Sequence, residues 1–258
     1  MRLQVLASGS SGNASFLELG GCRFLIDAGI SCRRIESLLQ KLAVKVTDLD
    51  GVFITHEHRD HVAGLATLYR KYRLPVFTRP GTWKALAARE ECFAQPSQHL
   101  GDRLSLGSVQ VEVFDVSHDA AEPVGFVFRG EGVKCVFITD LGKVTAEVLQ
   151  AAQGADVMVL EANYDPQMPE SGPYPAWLKA RIRGSKGHLS NQQSGGFLSS
   201  VYENPGTKVF LAHISQENNY ADLAISSIAH RLREQFTEIE KKIQLFPTYP
   251  DRMNGLEW

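Results

Sequence analysis

Residues 52–64 read Val52-Phe53-Ile54-Thr55-His56-Glu57-His58-Arg59-Asp60-His61-Val62-Ala63-Gly64. An apolar run of β character, Val52 to Ile54, ends in three imidazoles and a carboxylate within six residues. His56 and His58 alternate, so on an extended chain they point to the same side. Asp60 and His61 follow where the chain turns into the helical pattern of Val62–Tyr72. Imidazole and carboxylate together suit zinc, manganese or iron better than calcium or magnesium. Grouping so many ionisable side chains is costly unless a cation or partner charge compensates them. A polar surface turn is the better reading for one histidine, but four ligand-type side chains at this spacing point to a metal.

Working outward, the same arrangement recurs. Val109–Val116 alternates like a strand and ends at Ser117-His118, and Val133–Ile138 ends at Thr139-Asp140. Lys208–Ala212 ends at His213, and Arg23–Ile26 ends at Asp27. Each candidate ligand sits just past the carboxyl end of an apolar β-type run, so strands of one sheet layer are expected to deliver them to a common rim. A core histidine has no reason to prefer strand ends.

His-x-His-x-Asp-His after a hydrophobic strand resembles the signature of the metallo-β-lactamase superfamily. The resemblance implies an α/β fold, a four-layer αβ/βα sandwich with a metal site at one edge. It implies two divalent ions (zinc, manganese or iron), one held by His56, His58 and His118, the other by Asp60, His61 and His213, with Asp140 bridging. Asp60 is expected to serve catalysis as well as ligation. Asp27 matches the family's first motif, where a carboxylate orients ligand histidines from behind. True β-lactamases are expected to carry cysteine at the bridging position. A carboxylate there looks more like the phosphodiesterase and glyoxalase branches, which sets antibiotic hydrolysis aside.

Two further segments narrow the branch. Asp156–Leu160 reads as a strand ending at Glu161, and Gly187-His188-Leu189-Ser190 follows later in the chain. Singly, Glu161 reads as a solvated strand end and His188 as a neighbour of a helix cap. Together they resemble the Glu and His-Ser/Thr motifs of the tRNA 3′-processing nucleases. A carboxylate that fixes an imidazole tautomer and raises its basicity makes a general acid near neutral pH, so Glu161 and His188 are expected to be catalytic. The short intervals from His118 to Asp140 and from Asp140 to His213 leave no room for a tRNA-gripping arm or an inserted domain. Ala7–Ser15, Gly187–Asn191 and Ala212–Asn219 together look like the YycJ/WalJ group of bacterial proteins with this fold. That resemblance spans nearly the whole chain and implies a 5′-directed DNA exonuclease, hence a nucleic-acid partner, DNA in particular.

Composition bears on the substrate only in part. A net charge of −2 gives no global basic field to steer a polyanion. Local basic runs exist at Tyr69–Arg73 and at Trp177–Lys186, the latter leading into His188. Both compete with the reading of an ordinary solvated helix face. Arg181, Arg183 and Lys186, with Asn13 and Ser190, are expected to contact substrate phosphate, and an aromatic here could stack on an unpaired base. The rival reading is a small-molecule hydrolase on the same metals, a cyclic phosphodiesterase or a thioester or lactone hydrolase. A metal-dependent binding scaffold is a third, disfavoured by the complete ligand set.

At 258 residues with 43% hydrophobic content, one domain spanning 1–258 is expected. No apolar run approaches the ~20 residues of a membrane span, and the amino terminus reads as a strand and a Ser/Gly loop, not a signal peptide. The four cysteines, without a Cys-x-x-Cys pair, read as thiols in a reducing compartment, and a cytoplasmic location is expected. Helices are expected at Ile35–Leu42, Trp83–Cys92, Val144–Gln153, Asn191–Tyr202 and Ala221–Phe236. Pro166–Pro175 reads as an irregular loop, residues 245–253 as a tail docked on the body, and His99 and His230 as surface side chains.

Overall fold

The computed structural model describes residues 1–94, 98–168, 174–203, 205–238 and 242–257, with backbone alone at 98–99. Their strands form two seven-stranded sheets. The first runs in the order β14 (Asn254–Glu257), β1 (Arg2–Ala7), β2 (Ala14–Leu19), β3 (Cys22–Ile26), β4 (Gly51–Phe53), β5 (Val76–Thr78), β6 (Gln98–His99). The second runs β13 (Ile243–Pro247), β12 (Thr207–Ala212), β11 (Val157–Glu161), β10 (Val133–Ile138), β9 (Val124–Gly130), β8 (Val109–Asp115), β7 (Arg103–Leu106). Each sheet is antiparallel in one half and parallel in the other. The parallel halves are β3 to β6 and β10 to β13.

Parallel strands need crossover helices, and both faces of such a sheet must then be covered. Helices Cys32–Lys41, Leu65–Tyr72 and Pro80–Ala87 bury their apolar side chains with those of the first sheet's outer face. Helices Ala146–Ala152, Asn191–Val201 and Ala221–Arg233 do the same for the second. A third cluster lies between the sheets, so the layers run helix, sheet, sheet, helix, the expected four-layer sandwich. Its centre is a phenylalanine lattice. Phe53 sits 5.1 Å from Phe128 and 5.5 Å from Phe126 across the inter-sheet space, with Phe77 stacked on it at 4.8 Å. Truncating Phe53 to alanine would cost about 3–5 kcal/mol, because it is fully buried at the end of β4, just before the His56 motif.

The structure departs from the sequence reading in four places. The ligand-bearing runs do not belong to one sheet layer: β3 and β4 lie in the first sheet, and β8, β10, β11 and β12 in the second. The common rim exists because both sheets open at the same edge, a position periodicity within single strands does not encode. Val62–Tyr72 is two pieces, Arg59–Val62 and Leu65–Tyr72, parted where Gly64 packs against the Ile30 carbonyl. A Cβ at Gly64 would stand 2.1 Å from that oxygen. The helix expected at Trp83–Cys92 is Pro80–Ala87 instead, because Pro80 opens it at its first turn. The carboxyl-terminal tail does more than dock, since it supplies β13 to the second sheet and β14 to the first.

The helix at 146–152 starts at its Thr145 cap, and Ser190 with Gln193 forms a capping box on Asn191–Val201. Residues 176–183 are helical. All four cysteines are free thiols. The His230 side chain is exposed, as expected. The side chain of His99 and residues 169–173 of the expected loop lie outside the described residues. Among the described residues, no helix is long and apolar enough to cross a membrane.

Candidate metal centre

Three of the site residues adopt left-handed backbone that only glycine enters without cost: Asp27 (φ 59°), Asp140 (φ 57°) and His213 (φ 54°). Each follows the end of a strand, β3, β10 or β12. Such conformations cost about 1–3 kcal/mol and persist where the surroundings fix them. At two of them the residue's own N–H is anchored. The Asp27 N–H donates to the Phe53 carbonyl (2.8 Å) and the His213 N–H to Ser8 Oγ (2.7 Å). The amino-terminal Ser/Gly loop passes beneath the metal motif, with the Asn13 N–H donating to the Asp60 carbonyl (2.7 Å) and the Gly29 N–H to Asn13 (2.7 Å). A Cβ at Gly29 would stand 1.6 Å from the Asp60 oxygen, so only glycine allows that approach.

On the first sheet's side, Asp27 and Thr55 arrange the imidazoles. The His61 Nδ1 lies 2.8 Å from Asp27 Oδ2, while Thr55 Oγ1 bonds Asp27 (3.0 Å) and His56 Nδ1 (3.0 Å). Engaging each Nδ1 leaves each Nε2 directed inward. The His56 Nε2 is buried and has no hydrogen-bond partner. His61 Nε2 lies 3.1 Å from Asp140 Oδ2.

The second sheet's side is held differently. His118 Nδ1 meets the Gly187 carbonyl at 3.1 Å, which leaves its Nε2 3.2 Å from His58 Nδ1. His213 Nε2 lies 3.2 Å from Asp60 Oδ2, and its Nδ1 lies 3.1 Å from Glu161 Oε1. Glu161 is wholly buried: Oε2 accepts the Leu141 and Leu189 N–H groups (both 2.9 Å), and Oε1 meets His188 Nδ1 at 2.7 Å. Two of these groups match the ligand sets expected from sequence, His56/His58/His118 and Asp60/His61/His213, with ligand atoms within 4.8 Å of one another in each. Asp140 shares further groups with His56 and His61 and with Glu161, His188 and His213. It stands between the two sets.

The electrostatics follow from this crowding. Burial opposes a charge on His61 and His213, yet Asp140 overrides it in both cases, helped by Asp27 for His61 and by Asp60 and Glu161 for His213. His61 is pushed well above the usual imidazole range and His213 up to about 10. His56 and His118 fall below it, burial being the main cause. Burial would raise the Asp140 carboxyl, but the His213 and His61 charges hold it well below the ordinary range. Glu161 is likewise held low, by His188 against burial. The donor set fits divalent ions: an orphaned buried ring nitrogen, two ring nitrogens facing each other, and carboxylates otherwise balanced by protonated histidines.

His58, Asp60, His118, Asp140, His188 and His213 line a cleft of about 220 Å³, walled also by Ser10, Leu178 and Arg181. The expected phosphate contacts fare unequally. Arg181 reaches the cleft but forks onto Asp119, Nε to Oδ2 at 2.6 Å and Nη2 to Oδ1 at 3.1 Å. Arg183 and Lys186 do not line it, since Arg183 is two residues from Arg181 and so faces another side of the helix. Asn13 is buried under the motif with its amide on Gly9, Asp60 and His61, and the Ser190 hydroxyl caps the Gln193 N–H. Both side chains are engaged within the protein. Sequence reasoning missed Thr55, Ser8, Asn163 and Asp119. Asn163 Nδ2 bonds the His213 carbonyl (2.8 Å), and Asp119 Oδ1 lies 3.4 Å from His118 Nε2. Their adjacency to motif residues is the one signal the sequence offered.

A family model described as the beta-lactamase superfamily domain matches residues 22–214. Over 261 residues the chain is 34% identical to exodeoxyribonuclease YycJ of Bacillus anthracis, covering 100% of this chain and 99% of that one. It is 34% identical over 260 residues to exodeoxyribonuclease WalJ of Streptococcus pneumoniae serotype 2, 99% of this chain and 97% of that one. In fold it resembles zinc-bound PqqB from Methylobacterium extorquens, with a TM-score of 0.71 at 17% identity over 100% of both chains.

Proposed function

The chain belongs to the beta-lactamase superfamily, as a hydrolase of its metallo-β-lactamase fold, and on that premise we propose a binuclear metal-dependent phosphodiesterase that degrades DNA from its 5′ ends. The reading takes 1–258 as one catalytic domain, acting in the cytoplasm. His56, His58 and His118 would hold one ion, Asp60, His61 and His213 the other, with Asp140 between them. Zinc, manganese and iron all suit this nitrogen and oxygen set. Such a pair supplies an activated water and withdraws charge from a phosphoryl oxygen.

The chain's own residues do the rest. Asp27 and Thr55 fix the rings of His61 and His56, so that their inward nitrogens are already oriented to hold the ions. The single observation that carries the phosphodiester reading is the His188–Glu161 pair at 2.7 Å, on the cleft's edge beside Asp140. A carboxylate locked by two backbone N–H groups cannot turn away, so it holds the proton on Nδ1. In the imidazolium form the other ring nitrogen, Nε2, carries a second proton that it can give to a departing sugar oxygen, leaving the neutral ring with Nδ1–H. Alkoxides are poor leaving groups and need that proton, whereas a thioester expels a stable thiolate that does not.

The 34% identity over the whole length to proteins named exodeoxyribonucleases supports DNA as the polymer. The test is direct. Metal-loaded protein is incubated with strands labelled at either end, in DNA and RNA versions, with a cyclic dinucleotide as the small competitor. Mononucleotide release from 5′ ends of DNA is expected. Turnover of the small diester with all polymers left intact would overturn the nuclease reading.

A further inference from the structure

Three consecutive residues after β8 hold the segment that leads to His188. Ser117 Oγ donates to the Ser185 carbonyl (2.7 Å), His118 Nδ1 meets the Gly187 carbonyl (3.1 Å), and Asp119 takes both arms of the Arg181 fork (2.6 and 3.1 Å). Gly142 closes on the same segment, where a Cβ would stand 2.4 Å from the Gly187 nitrogen. The stretch from Arg181 to His188 is thus tied at several points. Asp119 has a second set of neighbours, since its Oδ1 lies 3.4 Å from His118 Nε2 and 3.9 Å from His58 Nε2. Among the described residues that line the cleft, Arg181 is the one arginine or lysine. Its hydrogen bond to Asp119 raises its pKa, burial opposes this, and the Asp119, Asp60 and Asp140 charges add to the rise. The guanidinium therefore lies within the field of the candidate metal site's carboxylates.

A guanidinium carries five N–H groups in a planar fork. Asp119 takes the side edge, Nε–H and one Nη2–H. The end edge, made by Nη1 and the second Nη2–H, has no part in that pair. It matches two oxygens of a second anion, and a phosphodiester offers such a pair in its two non-bridging oxygens. An arginine without Asp119 would sample many side-chain rotamers and lose that freedom on binding. We propose that Asp119 is a positioning residue, which fixes the Arg181 guanidinium as a clamp on the non-bridging oxygens of the substrate phosphate. This rests on the phosphodiester reading above and adds the residues that orient the phosphate in the cleft.

With side chains 47% and 31% exposed, the ion pair adds little to stability, so its removal should leave the fold intact. Arg181→Ala, Arg181→Lys, Asp119→Ala and the double alanine variant are assayed on DNA and on a nitrophenyl phosphodiester, with metal content measured in each. Arg181→Ala should lower kcat/KM by roughly ten- to hundredfold on both substrates, because the phosphate is common to both. Arg181→Lys should recover little of that, since an ammonium cannot fork. Asp119→Ala should lose less and keep its metal. In the double variant it should add nothing to the loss seen with Arg181→Ala alone. Dilute guanidinium ion should restore activity to Arg181→Ala but not to the double variant, which lacks the carboxylate that seats it. Metal lost from Asp119→Ala, or losses that add in the double variant, would mean that Asp119 acts through the histidines and would overturn its positioning of Arg181. Wild-type kcat/KM in Arg181→Ala would overturn the clamp and leave the phosphodiester reading in place. A wild type that hydrolyses a thioester but neither phosphodiester overturns both.

Discussion

The two sides of the candidate metal centre are built by opposite strategies. On the first sheet's side, four candidate ligands, His56, His58, Asp60 and His61, follow one strand within six residues. Asp27 and Thr55 brace that group through local side-chain hydrogen bonds. On the second sheet's side, His118, Asp140, Glu161 and His213 each come singly from the end of a different strand. Their relative placement is set by the registers of β8 to β12, by left-handed backbone at Asp140 and His213, and by the buried carboxylate of Glu161. A compact motif resists change through hydrogen bonds within it. A dispersed set depends on the whole sheet, and Asp140, which touches both sides, couples the two.

That coupling predicts the largest effect. Asp140→Ala should remove the shared carboxylate and lower both metal content and activity, the latter to near background. Elemental analysis of the purified variant, done beside the assay, checks this. Two full equivalents of metal in the variant would mean that the two sides are independent.

Weakening the brace should do less. Asp27→Asn keeps the shape but removes the charge that fixes His61, and metal affinity should fall by about 10–100-fold. Activity should return at high metal concentration, which a titration would reveal. A loss that excess metal does not repair would move Asp27 from support into the chemistry. The same substitution should leave the second side's geometry intact.

In the metal-free protein the comparison becomes one of pH. The raised imidazoles, His213 at about 10 and His61 well above its usual range, favour the protonated folded state. Unfolded histidine titrates near ~6.5, so this stabilisation is complete below that pH. It is lost as pH rises through the folded value, toward about 10 for His213. Metal affinity should rise across the same window, because the ligands must be neutral. His56 and His118, held low by burial, are largely neutral in both states above about pH 7.5, so thermal melts of the chelated protein from there to pH 10 should fall, and the metal-loaded protein should show a flatter profile. A chelated protein that gains stability with rising pH contradicts the charge assignment.

At fixed neutral pH, chelation should lower Tm by about 5–10 °C without unfolding the protein. The phenylalanine lattice between the sheets does not depend on the ions. An unchanged melt after verified metal removal would mean that neither side gains stability from metal.

How much of this was legible in the sequence follows the same division. The compact side could be read outright, since spacing within six residues survives any folding of the rest. Strand ends at Asp27, His118, Asp140 and His213 were also legible, because apolar alternation stops there. The assignment of those strands to two sheets was not, as strand order is a matter of non-local pairing. Thr55, Ser8 and Asn163 were equally hidden. A hydroxyl or amide becomes a brace only when the fold sets it against a particular imidazole. Arg183 and Lys186 do not line the cleft that Arg181 reaches, Arg183 because helical rotation turns it to another side and Lys186 because it lies beyond the helix's end.

The central claim is that one cleft combines a metal pair with a separate proton donor, His188 held by Glu161. The most direct test compares His188→Ala with wild type on two substrates, a natural DNA strand and a nitrophenyl phosphodiester whose leaving group needs no proton. The account predicts full metal content, a loss of ~10²–10⁴-fold on DNA, and a much smaller loss on the activated ester. Equal losses on both substrates with metal retained would contradict it, as would a fall in metal content.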